Sequence, residues 1–228
     1  MYKFLKRLTD IVISSLALII LSPLILTAIL ILLLTGEHQV FYFQERIGYK
    51  NRPFKIWKFA TMLKNSPNVG TGDITVRNDP RVTPFGKILR MTKINELPQI
   101  INVFKGDMSL VGPRPLLESG FKLYPEEIQR KIYNVKPGIT GIGSIIFRDE
   151  EKVISEASDP AEMYKRIAPY KGELEMWYQN YASIYTDWLI IFLTAWTILF
   201  PHNKFANKFF KQLPHIDFEE KPARLAVE

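Results

Sequence analysis

The longest feature of the hydrophobic pattern is a stretch of 25 residues without a charge, Ile11 to Thr35, preceded by Lys3, Lys6 and Arg7. Such a run must meet lipid, since about 20 apolar residues are enough to span a bilayer. A cleaved leader fits poorly: the apolar region is too long, and Thr35-Gly36-Glu37 lacks a small-residue cleavage pattern. Ser22 and Pro23 fall at the centre of the stretch. A mid-helix proline removes a hydrogen bond and kinks the chain, and a serine hydroxyl can bond the carbonyl so freed. Two anchors fit: a kinked helix that spans, and a re-entrant one that breaks and returns to the face it entered. Positive charge both before the stretch and soon after it, at Arg46, Lys50 and Arg52, suits the second.

After the anchor the period changes. Val40 to Glu45 and Phe54 to Phe59 are aromatic and β-branched runs on either side of a Gly48 to Pro53 turn, which predicts a hairpin. Asn65 to Asp73 is rich in Asn, Gly, Ser and Pro and reads as loop. Gly70 and Gly72 are turn formers there, because no Walker or dinucleotide spacing follows a strand. Thr83-Pro84 is a cap and first-turn proline for a short helix through Arg90. Leu97, Ile100, Ile101 and Phe104 recur at helical spacing and predict one apolar stripe. With Pro98 in its first turn, that helix starts near Asn95 and Glu96, has Asn95 as its N-cap, and stops at Gly106. Further helices are predicted from Pro125-Glu126-Glu127 to Lys136-Pro137-Gly138, and from Asp159-Pro160, with Pro169 separating this last one from the next. Trp188 to Phe200 is apolar on every side; its 13 residues are too few to span, and its tryptophans and aliphatics suit a helix in the headgroup zone or packed on the anchor, with a plain buried helix as the other reading. The whole predicts an α+β fold with a membrane-embedded segment over 1–36, a domain over 37–200 and a peripheral tail over 201–228.

Composition narrows the classes. At 228 residues and 47% apolar, the chain holds one compact domain plus an appendage, and disorder is excluded as its default state. A formal net charge of +7 suits an anionic membrane face, nucleic acid or phosphorylated substrates, and no nucleic-acid recognition motif accompanies it. The absence of cysteine excludes disulfides and thiolate metal sites, and His38, His202 and His215 are too scattered for a zinc pattern.

The densest chemistry lies between Thr92 and Leu117. A helix start presents free N–H groups that favour phosphate, and here basic residues flank it: Arg90 and Lys93 before, Lys105 and Arg114 after. Arg114 stands in Gly112-Pro113-Arg114-Pro115, where two prolines restrict the backbone and hold a guanidinium in place. The group reads as a diphosphate site. Taken singly, Asn95 as a cap, Glu96 as a first-turn acid and Arg114 as a surface ion-pair partner are ordinary, and Gly106-Asp107 reads as a turn rather than a metal ligand. Lys55 and Lys58 offer further phosphate contacts or simply solubilise a strand face.

The runs Glu96-Leu97-Pro98-Gln99, Asn102-Val103, Lys105-Gly106-Asp107-Met108-Ser109 and Val111-Gly112-Pro113-Arg114-Pro115 resemble the bacterial sugar transferases known as monotopic polyprenol-phosphate phosphoglycosyl transferases. The likeness extends over roughly residues 3 to 200. It implies a re-entrant helix-break-helix with Ser22-Pro23 at the break, at the cytosolic face of the bacterial inner membrane. It implies transfer of a phospho-sugar from a UDP-sugar to a polyprenyl phosphate with Mg2+, releasing UMP and starting a surface glycan. Membrane lipids are then partners, nucleic acid is not, and a homo-oligomer is left open. The resemblance makes Glu96 the metal-binding acid, Arg90 and Arg114 catalytic, and Lys58, Lys93, Pro113, Arg148 and Asp187 substrate contacts. Three positions depart from the family pattern. Its Asp-Glu pair is Asn95-Glu96, and an amide has no anionic oxygen to attack phosphorus. Its Lys-Phe-Arg-Thr-Met is Lys58-Phe59-Ala60-Thr61-Met62, and Trp-Ala-Gln-Val-Asn-Gly-Arg gives way to Ile142 through Arg148. Asn95 and Ala60 also allow a second reading, a membrane-bound binding or assembly subunit without the chemistry.

Overall fold

The computed structural model describes residues 1–66, 79–148, 154, 159–200, 209–210 and 212–214. The predicted loop tip with Gly70 and Gly72, together with Arg77 and most of the tail from Pro201, lies outside these described residues. The chain divides into two compact units, Met1–Leu110 and Val111–Glu228.

The first unit opens with helix α1, Tyr2–Leu34. It is long and apolar enough to cross a membrane, by length and composition. Pro23 sits inside it. Proline has no N–H to offer the carbonyl four residues back, that of Ile19, and the Ser22 hydroxyl donates to this oxygen at 2.8 Å. The middle of the helix is bare, with Leu16, Ile19, Ile20 and Leu26 all exposed, whereas Asp10, Ser14, Ala28 and Leu32 are buried. Each end is therefore held by the protein while the middle faces outward. Near the start, Arg7 donates to the carbonyls of Val103 and Phe104, and Asp10 accepts from the Ser109 hydroxyl and the Leu110 N–H. Near the finish, Ala28 and Leu32 share a core with Phe59 and Leu89, against which Ile25, Ile29, Phe85 and Ile94 pack.

Strands β1, Phe41–Ile47, and β2, Pro53–Phe59, pair antiparallel as the predicted hairpin, with Phe43 opposite Trp57 and Gln44 opposite Ile56. Helix α2, Pro84–Met91, begins as its sequence requires: the Thr83 hydroxyl accepts from the Gly86 N–H and Pro84 fills the first turn. Gly86 lies so close to the Thr61 carbonyl that a Cβ would stand 2.2 Å from the oxygen, which fixes α2 against the end of β2.

The next helix corrects the sequence reading. Ile94–Glu96 is a separate 3-10 turn entered through Lys93 in the left-handed region (φ 60°), and helix α3 covers Gln99–Lys105 with Pro98 at its N-cap. Asn95 caps nothing. The predicted stripe fails too: Gln99, Ile100, Asn102 and Val103 are buried, while Phe104 is 47% exposed. The cause is Asn102. Its Oδ1 accepts from the Trp57 N–H and its Nδ2 donates to the Lys55 carbonyl, so the side chain occupies the free edge of β2 as another strand would and turns α3 about its axis. Gly106 (φ 94°) ends the helix as expected.

Strand β3, Ser109–Val111, at the sequence boundary of the two units, pairs with β4, Gly138–Thr140, and the second unit adds short helices α4, Glu118–Phe121, α5, Glu126–Lys131, and α6, Ile142–Ile146. Helix α5 ends well before the predicted stop at Lys136-Pro137-Gly138. Helix α7, Pro160–Tyr181, runs through Pro169, where the sequence predicted a separation. An interior proline costs a helix about 3 kcal/mol. Complete burial of Ile167, Ala168 and Leu174 on both sides of it offsets that cost. Helix α8, Ile184–Leu199, starts earlier than the predicted apolar run, and Ser183 caps it by accepting from the Thr186 N–H.

Candidate active site

Within the first unit, β2, α2 and the 3-10 turn supply the charged residues. Lys58 Nζ stands 4.0 Å from Glu96 Oε1, with side chains 18% and 28% exposed. Arg90, in the last turn of α2, reaches the Thr61 hydroxyl at 3.5 Å. The Asn95 Oδ1 is buried without a hydrogen-bond partner among the described residues. A buried amide oxygen left unmatched costs about 1–3 kcal/mol. Lys93 is exposed. The turn keeps its position because Ile94 packs into the core formed by Phe59, Leu89 and the second half of α1. The same small cluster thus seats the long apolar helix and the acidic turn.

Asp107 behaves as the turn residue expected of it, with its Oδ2 3.2 Å from the Asn102 Nδ2 and 3.6 Å from Lys105. Neither Asn102, as a strand-edge clamp, nor Asp10, as a buried acid, was singled out by sequence reasoning. Asp10 just before an uncharged run was the available signal, because a lone acid there needs a partner.

The second unit carries Pro113, Arg114, Arg148 and Asp187. Arg114 is exposed, although its neighbours Pro113 and Pro115 are buried, and Arg148 is exposed as well. Asp187 is enclosed instead, 6% exposed, and accepts from the Tyr178 hydroxyl at 2.6 Å. That hydroxyl also lies 3.3 Å from the Val111 carbonyl, so Asp187 braces the strand leading to the Arg114 loop.

The described residues include no group of three or more His, Cys, Asp or Glu able to enclose a metal ion. Mg2+ does not need one. It keeps several waters and is commonly held by one or two carboxylates plus substrate phosphates. Partly exposed Glu96, next in sequence to Asn95 with its unmatched oxygen, would supply one such carboxylate.

A long apolar helix and the turn that carries Glu96 thus share one core, with Lys58 beside that acid. The chain belongs to the bacterial sugar transferases, whose family model matches residues 1–201. Among its relatives, it is 37% identical over 200 residues to the UDP-N-acetylgalactosamine-undecaprenyl-phosphate N-acetylgalactosaminephosphotransferase of Aeromonas hydrophila, covering 87% of this chain and 44% of the relative. It is 40% identical over 195 residues to the UDP-glucose:undecaprenyl-phosphate glucose-1-phosphate transferase of Klebsiella pneumoniae, covering 83% and 39%. With the uncharacterized sugar transferase EpsL of Bacillus subtilis it shares 36% identity over 195 residues, covering 86% of this chain and 87% of that one. The chain thus spans about two fifths of the first two relatives and most of the third.

Proposed function

We propose that this protein transfers a phospho-sugar from a UDP-sugar to a polyprenyl phosphate at the cytosolic face of the bacterial inner membrane, giving a polyprenyl-diphosphate-sugar and UMP and starting a surface glycan. The observation that carries this reading is the shared core of Ala28, Leu32, Phe59 and Leu89, joined by Ile94, which seats the Asn95-Glu96 turn against the membrane helix. A lipid-borne acceptor and a water-soluble donor need such a junction.

Both ends of α1 are fastened to one unit, which supports a re-entrant anchor. At about 1.5 Å per residue, a straight 33-residue helix is about 50 Å long. Were it to span, its ends would stand on opposite faces, and the partners of Asp10 and of Leu32 would have to be parted by a bilayer core about 30 Å thick. The exposed aromatics of α8, Tyr185, Trp188 and Phe192, suit a helix lying in the headgroup zone. Single cysteines at residue 1 and residue 51 should label from the same side in intact cells; labelling from opposite faces refutes the re-entrant anchor.

In the reaction, an oxygen of the lipid phosphate attacks the sugar-bound phosphorus of the donor. The bond from that phosphorus to the bridging oxygen breaks, and this oxygen leaves on UMP. Glu96 would hold Mg2+, which supplies charge neutralisation on the diphosphate. In the first unit Lys58, beside Glu96, and Arg90 bind donor phosphate and Lys93 gives a further anion contact; to Arg148 and Arg114 in the second unit the family resemblance gives a further anion contact and neutralisation of charge developing on departing UMP. Asn95 positions by its amide and does not attack, so transfer is direct, without a covalent intermediate. The test is UMP release with a panel of UDP-sugars and a polyprenyl phosphate. UMP should form only when donor and acceptor are both present. A phospho-sugar adduct on Glu96 in the intact mass would overturn direct transfer, and no UMP from any donor would favour the binding subunit.

A further inference from the structure

The Pro-Arg-Pro loop raises a question of preorganisation that its prolines answer only in part. Pro113 and Pro115 lack N–H groups, yet nearly every remaining polar group of the loop is matched. The Gly112 N–H donates to the Thr140 carbonyl, the Pro113 carbonyl accepts from the Gly138 N–H, and the Tyr133 hydroxyl donates to the Arg114 carbonyl while accepting from the Leu116 N–H. The Arg114 N–H is held by the side chain of Glu175, from α7, which also accepts from the Gly143 N–H. Glu175 is 3% exposed, and its Oε2 has no partner among the described residues. The backbone is shaped around this acid: a Cβ at Gly143 would stand 2.5 Å from its Oε1, and one at Gly141 would stand 2.4 Å from the Gly112 carbonyl. Lys171, one turn earlier and 5% exposed, faces two aromatic rings, 5.4 Å from the centre of Tyr164 and 6.0 Å from that of Phe147.

A buried acid with one idle oxygen is an expensive way to fill a core; a leucine would serve packing better. What the acid contributes is an acceptor for the peptide of an arginine whose own side chain stands out in solvent. We propose that Glu175 is the positioning residue of Arg114, fixing its peptide so that the guanidinium is already aimed at the donor's phosphate before the substrate arrives. This rests on the assignment of Arg114 to the donor phosphate. Burial pushes the Glu175 carboxyl up to about 8, against the pull of the two N–H groups and of the Lys171 and Arg114 charges, so the acid holds its place largely as the neutral form. An amide should then replace it well.

The test is a cycle of Glu175→Ala, Glu175→Gln and Arg114→Ala, alone and combined, measuring kcat, KM for the UDP-sugar, and the melting temperature. Misplacing a charged contact by about 1 Å can cost up to about a hundredfold in rate, so Glu175→Ala should lower kcat roughly ten- to a hundredfold with KM little changed. Glu175→Gln should recover most of that loss. In the Arg114→Ala background, Glu175→Ala should lower kcat no further, because the contact it aims is gone. A full second loss there would make Glu175 a scaffold residue and overturn the proposal while leaving the Arg114 assignment standing. Normal turnover in Arg114→Ala alone would overturn the assignment, and the proposal with it.

Discussion

Arg7 is the sharpest test of how the membrane helix is held. Its Nη1 donates to the Val103 carbonyl at 2.7 Å and its Nη2 to the Phe104 carbonyl at 2.8 Å. Both oxygens belong to the last turn of α3, so the guanidinium also faces the negative end of a helix. A hydrogen bond to a charged group contributes about 1.5–3 kcal/mol, and the helix end adds about 0.3–1 kcal/mol. The bond to Phe104 is open to solvent and takes the low end of that range or less. Arg7→Ala should therefore weaken docking of the first turns of α1 by about 2–4 kcal/mol, or roughly 30- to 700-fold in the docked-to-free ratio. Arg7→Lys should keep less than half of this, since one ammonium cannot reproduce the fork. Lys3→Ala, which removes an exposed positive charge a turn earlier, is the control for net charge. Amide hydrogen exchange in nanodiscs reads the effect directly: residues 103–110 should exchange faster in Arg7→Ala and remain unchanged in Lys3→Ala. Equal exchange in the two variants would show that the contact is incidental and that lipid alone holds the helix.

Arg114→Ala should lower UDP-sugar turnover by about 2–4 kcal/mol of barrier while moving the melting temperature little, and Arg114→Lys should rescue poorly; equal losses of stability and activity would assign the side chain to the scaffold. Glu96→Gln should abolish UMP release, whereas Asn95→Asp should fold normally and, if transfer is direct in the native chain, leave UMP release dependent on both substrates; activity confined to Asn95→Asp would show that the native amide had silenced the site. The Glu175 carboxyl titrates near 8 in the folded chain and near 4.5 when exposed, so the folded state holds an extra proton between these values. Its contribution to stability is full below about 4.5 and is lost as pH rises towards about 8, by up to about 1.4 kcal/mol per pH unit. Glu175→Gln should flatten the melting temperature across that window, and an unchanged slope would place the titration elsewhere.

The hairpin, the capped start of α2 and the long apolar helix were legible in the sequence because each is written in neighbouring residues: alternating aromatics, Thr83 before Pro84, an uncharged run. The chemistry at Pro23 was legible too, down to Ser22 taking the Ile19 carbonyl, but the expected break was not found: α1 runs through Pro23 as one helix. What misled was the stretch from Asn95 to Phe104. Its local periodicity pointed Phe104 inward and made Asn95 a cap, but Asn102 answers to β2, whose bonded Trp57 N–H lies 45 positions back, and that contact sets the helix's rotation. Likewise nothing local distinguishes Glu175 from any helical glutamate; its burial follows from glycines more than thirty residues away in the chain. Side chains that complete another element's hydrogen bonds are invisible to a window the length of one element.

The span between Arg7 and its partners, 96 residues to Val103, sets a clock on how the anchor is made. A ribosome adding about 5–20 residues per second needs about 5–20 s to go from Arg7 to Val103. During that interval the apolar helix meets the insertion machinery with neither Arg7 nor Asp10 satisfied and with Leu32 lacking Phe59. Its early placement must be settled by flanking charge and by the Ser22-Pro23 pair alone, and the later fold then locks a choice already made. Orientation is an inherited state of this protein, not one that its finished structure is free to revise.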